Sequence, residues 1–66
     1  MKIRDFTEPE LEMFRKMCNF SDEELTYFNL RAKDKSNSYI AQQMFISEAK
    51  VSILAKRVKK KLIRVL

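Results

Sequence analysis

The apolar positions of this chain fall into four runs separated by short polar breaks, and the last run is the most regular. Val51, Leu54, Ala55, Val58, Leu62 and Val65 share one side of a helix at about 100° per residue, whereas Ile53, Lys56, Arg57, Lys60 and Arg64 occupy the other. This predicts a long amphipathic helix over 48–65. Ahead of it, Ile40 and Met44 lie on one face of a short helix over 37–44, and Ala41 beside them is small enough to let a second helix pass closely. Ile46 falls in the turn between the two, and Ser36 and Ser47 stand where each helix needs a hydrogen-bond acceptor at its start. Two crossed helices, the second with its outer side free, form the arrangement that carries a helix into a DNA major groove.

The first half of the chain repeats one device. In Phe6-Thr7-Glu8-Pro9-Glu10-Leu11, Thr7 and Glu10 have capping-box spacing and Phe6 and Leu11 can close a hydrophobic staple across it. Phe20 to Leu25 has the same layout, with Ser21 as cap and Glu24 as its partner, which fits either a duplicated helix or convergence on a good helix start. Helices are therefore expected over 8–17, with Leu11, Phe14 and Met17 or Cys18 inward, and over 22–33, burying Leu25, Phe28 and Ala32. Residues 1–5 read as a frayed lead-in. Asp34 and Lys35 turn the chain, Tyr39 is expected to pack at its edge, and Phe45 is expected to pack in the turn before the last helix. The predicted fold is all-α: one four-helix, helix-turn-helix domain over 1–66, with Leu25, Phe28, Ile40, Met44, Val51, Leu54 and Val58 in one core.

Composition narrows the chemistry. The chain has no histidine and no glycine, one cysteine and one proline, so neither a Cys/His metal cluster nor a glycine-rich phosphate loop is available. No cofactor is expected. The carboxylates Glu8, Glu10, Asp22, Glu23 and Glu24 stand in first helical turns, where the helix dipole favours them, so they call for no catalytic role. An enzyme is the least favoured class. No apolar run is long enough for a signal peptide or membrane span, which implies a cytoplasmic protein, and Cys18 reads as a small packing residue. Charge is segregated: residues 1–34 carry six Lys/Arg against eight Asp/Glu, a net −2, and residues 35–66 carry eight against one, a net +7. A polyanion met by one side of the protein accounts for that segregation.

From Phe20 to Leu62 the sequence resembles, without a gap, the DNA-binding domain of LuxR-type regulators. Ser36-Asn37, Ile40-Ala41 and Met44-Phe45-Ile46-Ser47-Glu48 fall where that family has Ser-Asn, Ile-Ala and Leu-Phe-Ile-Ser-Glu, and Val51, Val58 and Lys61-Leu62 continue the match. It is also similar to the fourth region of bacterial sigma factors. The resemblance implies base contacts from Ser52, Ile53 and Lys56 on the last helix, with phosphate contacts from Asn37, Lys50, Arg57, Lys60 and Lys61. Ile53 suits a thymine methyl and not a hydrogen bond. Asp34 stands where the family usually has glycine, which implies a left-handed residue there. A counterpart of the family's further, dimerising helix is not expected after the last run, nor is a receiver or ligand-binding domain. Leu62, Ile63, Val65 and Leu66 are the expected self-association seam or partner contact in its stead.

Three readings follow. The first is a bacterial or phage transcription regulator that binds double-stranded DNA sequence-specifically as a dimer, with 48–65 as recognition helix and the nucleoid as its place of action. The second is a sigma-like or adaptor module that meets an acidic surface of RNA polymerase or a regulator and has weak DNA affinity. The third makes Lys56 to Leu66 a basic amphipathic helix on a membrane surface, although its apolar side is also claimed by the bundle.

Overall fold

The computed structural model describes residues 3–66. A 3-10 turn, Ile3–Asp5, precedes helices α1 (Glu8–Met17), α2 (Asp22–Ala32), α3 (Asn37–Met44) and α4 (Glu48–Val65), and no strand occurs among the described residues. Met1 and Lys2, part of the expected lead-in, lie outside the described residues. The rest of that lead-in is ordered into the turn, and Ile3 packs against the core. The second helix stops at Ala32, one residue short of the expected end, because Lys33 serves as its C-cap.

Each helix starts on a hydroxyl residue in extended conformation. Ser21 gives the full reciprocal box: its oxygen accepts the Glu24 N–H at 3.3 Å while the Glu24 carboxylate accepts the Ser21 N–H at 2.9 Å. Glu10 accepts the Thr7 N–H at 2.8 Å and the Thr7 hydroxyl at 3.1 Å. Ser36 and Ser47 accept the N–H groups of Tyr39 and Lys50, each at 3.2 Å. Each interhelical turn then contains one residue of positive φ: Asn19 (51°), Asp34 (63°) and Phe45 (57°). At Asp34 the turn closes by the double bond of a Schellman motif, Asp34 N–H to the Arg31 carbonyl at 2.9 Å and Lys35 N–H to the Leu30 carbonyl at 3.2 Å. The third turn is tied by the Ile46 N–H to the Ala41 carbonyl at 3.0 Å. Asn and Asp tolerate left-handed backbone, whereas phenylalanine there costs about 1–2 kcal/mol.

One core joins all four helices. Phe14, Phe28, Ile40, Val51, Leu54, Val58 and Leu62 are fully buried, with Leu11, Cys18, Tyr27 and Ala41 around them. A run of rings links the first two helices, with Phe6 and Phe14 centroids 4.8 Å apart, Phe14 and Phe28 6.5 Å, and Phe28 and Phe20 5.0 Å. Arg15 adds a polar tie, donating from Nε to Asn29 Oδ1 at 2.9 Å with its guanidinium 5.7 Å from the Phe28 ring centroid.

Several packing expectations change. Cys18, not Met17, faces inward; Met44 and Ala32 are half-buried and pack against the core from its edge. Leu25 is half-buried and lies outside the core cluster, while Tyr27 is inside it. The cause is Glu24, only 4% exposed, whose Oε1 lies 2.6 Å from Lys61 Nζ on α4. With its charge paired, Glu24 can face inward, and α2 rolls so that Glu24, Tyr27 and Phe28 meet the core in place of Leu25. Phe45, expected to pack, is 94% exposed. Its left-handed backbone turns the side chain away from the core and leaves Ile46 to fill the turn.

Two measurements check this account. Phe45→Gly relieves the backbone cost and loses no packing, so the urea midpoint should rise by the equivalent of about 1 kcal/mol, whereas a packing role would make it fall. The second concerns acid. Hydrogen bonding from Lys61, then from the Ser21 N–H, holds the Glu24 carboxyl below the ordinary carboxylate range despite the opposing effect of burial. Its stabilising contribution is therefore complete above the unfolded value of about 4.3 and is lost as pH falls through the lower folded value. Glu24→Gln should cost about 1–3 kcal/mol at pH 7 and flatten the acid limb of a stability-versus-pH curve. An unchanged acid limb would show that the pair contributes nothing.

Candidate nucleic-acid interface

The geometry of the α3–α4 pair follows from small and branched side chains at the crossing. Ile40 and Ala41 from α3 are buried with Val51 and Leu54 from α4, and Ile46 packs in the turn. Ser38 donates to Glu48 Oε1 at 3.1 Å, fixing the start of α4 against the first turn of α3. That bond also engages the one carboxylate of residues 35–66.

With its inner side held by α1, α2 and α3, α4 presents an outer side on which Ala49, Ser52, Ile53, Lys56, Arg57, Lys60 and Arg64 are all exposed. Ser52, Ile53 and Lys56, the expected base contacts, span about 6 Å of helix at 1.5 Å per residue, so one groove-sized surface holds all three. Ile53 is 46% exposed, an apolar side chain within a cationic field. Arg57 and Lys60 continue the same side toward the C-terminus, while Lys50 is half-buried in the first turn and Asn37 is exposed at the start of α3. Among the described residues, Lys56, Arg57, Lys59, Lys60 and Arg64 make no ion pair, so their charge is available to a partner.

Lys61 does not join them. Its ammonium donates to Glu24 and to the Asn19 carbonyl at 3.2 Å and sits 5.9 Å from the Phe20 ring centroid. The Cys18 thiol donates to the Lys61 carbonyl at 3.6 Å, and burial pushes that thiol's pKa up, with Lys61 pulling the other way. Lys61 therefore clasps the α1–α2 turn to α4, and the ammonium expected at a phosphate is paired with a carboxylate within the fold. The expected self-association seam also shrinks. Leu62 is fully buried and Val65 packs against the core, since both continue the inner stripe of α4; Ile63, 61% exposed, and Leu66 remain outward.

The sequence reading missed a second basic flank. Lys59 of α4, Arg31 and Tyr27 of α2 and Asn37 of α3 line a cavity of about 200 Å³ with Ile3, Ala55 and Leu62. Burial pushes the Tyr27 phenol up, with Arg31 opposing, so it stays a protonated donor at neutral pH. Apolar periodicity holds no signal for this cluster, because its members come from three helices and meet only where those helices cross. Lys35 is a smaller case, its ammonium 5.1 Å from the Tyr39 ring centroid over a half-open edge.

Among the described residues no helix is long and apolar enough to cross a membrane. No curated protein and no solved structure matches the chain. The profile of bacterial regulatory proteins of the luxR family, GerE, matches residues 18–63, from the buried cysteine at the end of α1 through the exposed Ile63 of α4. That span holds α2, α3, the turn and the outward surface of α4 as far as Lys60, and covers well over half of the sequence. The chain belongs to the luxR family of bacterial regulatory proteins, and the matched residues form the family's DNA-binding helix-turn-helix domain.

Proposed function

We propose that this protein is a transcription regulator that binds double-stranded DNA sequence-specifically, with α4 as the recognition helix in the major groove. The observation that carries the reading is the outward side of α4: Ser52, Ile53 and Lys56 exposed on one short stretch, amid cations that no carboxylate of the described residues engages. Lys56 has the donor for a guanine edge, Ser52 can pair with several bases, and Ile53 fits a thymine methyl. Asn37, Lys50, Arg57 and Lys60 serve the phosphates on either side, fixing register without reading sequence. A homodimer on a repeated site, built around Ile63 and Leu66, would double the contact surface, and the nucleoid is where such a protein acts.

A second reading, a sigma-like or adaptor module on the transcription machinery, draws on Phe45. A phenylalanine exposed beside Ser38, Gln42 and Glu48 at the end of α3 suits a protein contact better than a phosphate backbone. The membrane-surface reading loses its apolar side, since Val58 and Leu62 are buried within the bundle.

Duplex binding separates these readings. Lys60→Ala should weaken all duplexes by a similar factor and make the salt slope shallower by about one unit. Lys56→Ala and Ser52→Ala should change preference among sites, by about 1–3 kcal/mol if Lys56 reaches a guanine, and Ile53→Ala should penalise sites with thymine at one position. Unaltered affinity and salt dependence in all four would transfer the surface to a protein partner. Sedimentation tests the dimer: Ile63→Glu should shift a concentrated sample to monomer, and a wild-type chain that is monomeric at high concentration would exclude it.

A further inference from the structure

Asn37 apart, the residues lining the cavity bounded by α2, α3 and α4 have no part in the reading of α4. Among the described residues its lining has two cations and no acid: Arg31 and Lys59 stand with Asn37 and Tyr27 beside the apolar Ile3, Ala55 and Leu62. The Tyr27 side chain is 96% withdrawn from solvent, being 4% exposed, yet its hydroxyl makes no hydrogen bond with any described residue. Among the described residues no sealed polar atom lacks a partner, so this hydroxyl is open to the cavity that the residue lines. Arg31 spends one N–H on the Lys35 carbonyl at 2.9 Å and keeps the rest of its fork. Asn37 brings a side-chain amide and the first turn of α3, where Ser36 takes only the Tyr39 N–H.

We infer that this cavity is a seat for one phosphate group, with Arg31 and Lys59 supplying the charge and the Tyr27 hydroxyl and Asn37 amide the orienting hydrogen bonds. The chemistry agrees at each point. A neutral phenol held by burial donates to an oxyanion without losing its own proton, and the two cations beside it balance the phosphate charge. At about 200 Å³ the volume lies below the roughly 300–1,000 Å³ of drug-sized ligand sites, so it takes a phosphate group and not a whole metabolite. The group could belong to a duplex backbone beside the groove or to the end of a small phosphate ester. The seat lies on the flank of α4, apart from Ser52, Ile53 and Lys56, and does not depend on their reading bases.

Amide NMR of the whole chain, titrated with sodium phosphate and with sodium chloride at matched ionic strength, tests the seat. Phosphate alone should give saturable shifts around Arg31, Asn37 and Lys59, lost in Lys59→Met and weakened several-fold in Tyr27→Phe, which keeps the buried ring. Shifts that fail to saturate, that chloride reproduces, or that survive both substitutions overturn the proposal. A second arm identifies the source. If phosphate at saturation competes with random duplex, and Lys59→Met makes the salt slope of duplex binding shallower by about one unit, the seat holds a backbone phosphate. If duplex affinity is indifferent to both, it holds a small ester. Saturable phosphate shifts in a protein whose duplex affinity ignores Lys56→Ala and Lys60→Ala would retain the seat and discard the DNA reading.

Discussion

Four side chains spaced along α4, Val51, Leu54, Val58 and Leu62, are essentially inaccessible to solvent, and they supply the surface against which α1, α2 and α3 are assembled. Burial of each contributes about 1.5–3 kcal/mol, a large share of what a 66-residue chain can muster. The geometry that gives the protein its stability is thus the geometry that aims its outer side. A helix anchored along one stripe for its whole length cannot roll without opening the core, so Ser52, Ile53 and Lys56 keep their bearing whether or not a partner is present. The Glu24–Lys61 contact reinforces this at the far end, tying α2 and the α1–α2 turn to the last turns of the same helix.

The helix boundaries were legible because their causes are local. A hydroxyl residue, a carboxylate three positions on and an apolar pair on either side are all within a few residues of one another, and both boxes formed where Thr7 and Ser21 placed them. The rotation of α2 was not legible. Leu25, Phe28 and Ala32 make an acceptable stripe, and what overrules it is a lysine on α4 that neutralises Glu24 from far along the chain. Phe45 failed for a different reason: its backbone is set by the turn, and the turn's handedness decides where the ring goes.

The same division runs through the candidate interface. The exposed side of α4 could be counted off the sequence, since periodicity alone separates Lys56 and Lys60 from Val58 and Leu62. Periodicity could not tell a cation free for a partner from one already engaged, and so Lys61 was grouped with Lys60 although it turns inward. Nor could it show that Arg31, Asn37 and Lys59 converge, because convergence is a property of how helices cross and not of any single helix.

The three turns carry a further consequence. They reverse the chain through Asn19, Asp34 and Phe45 in a sequence without glycine, and its one proline sits in the first turn of α1. A side chain at every such bend narrows the set of backbone conformations open to it, folded or unfolded. None of these joints is a swivel. On the proposed reading of α4, adjustment to an irregular double helix would fall on the long, many-jointed stems of Lys56, Arg57 and Lys60 and on the bending of the nucleic acid itself, so the stiffness of a binding site would become part of what such a protein distinguishes.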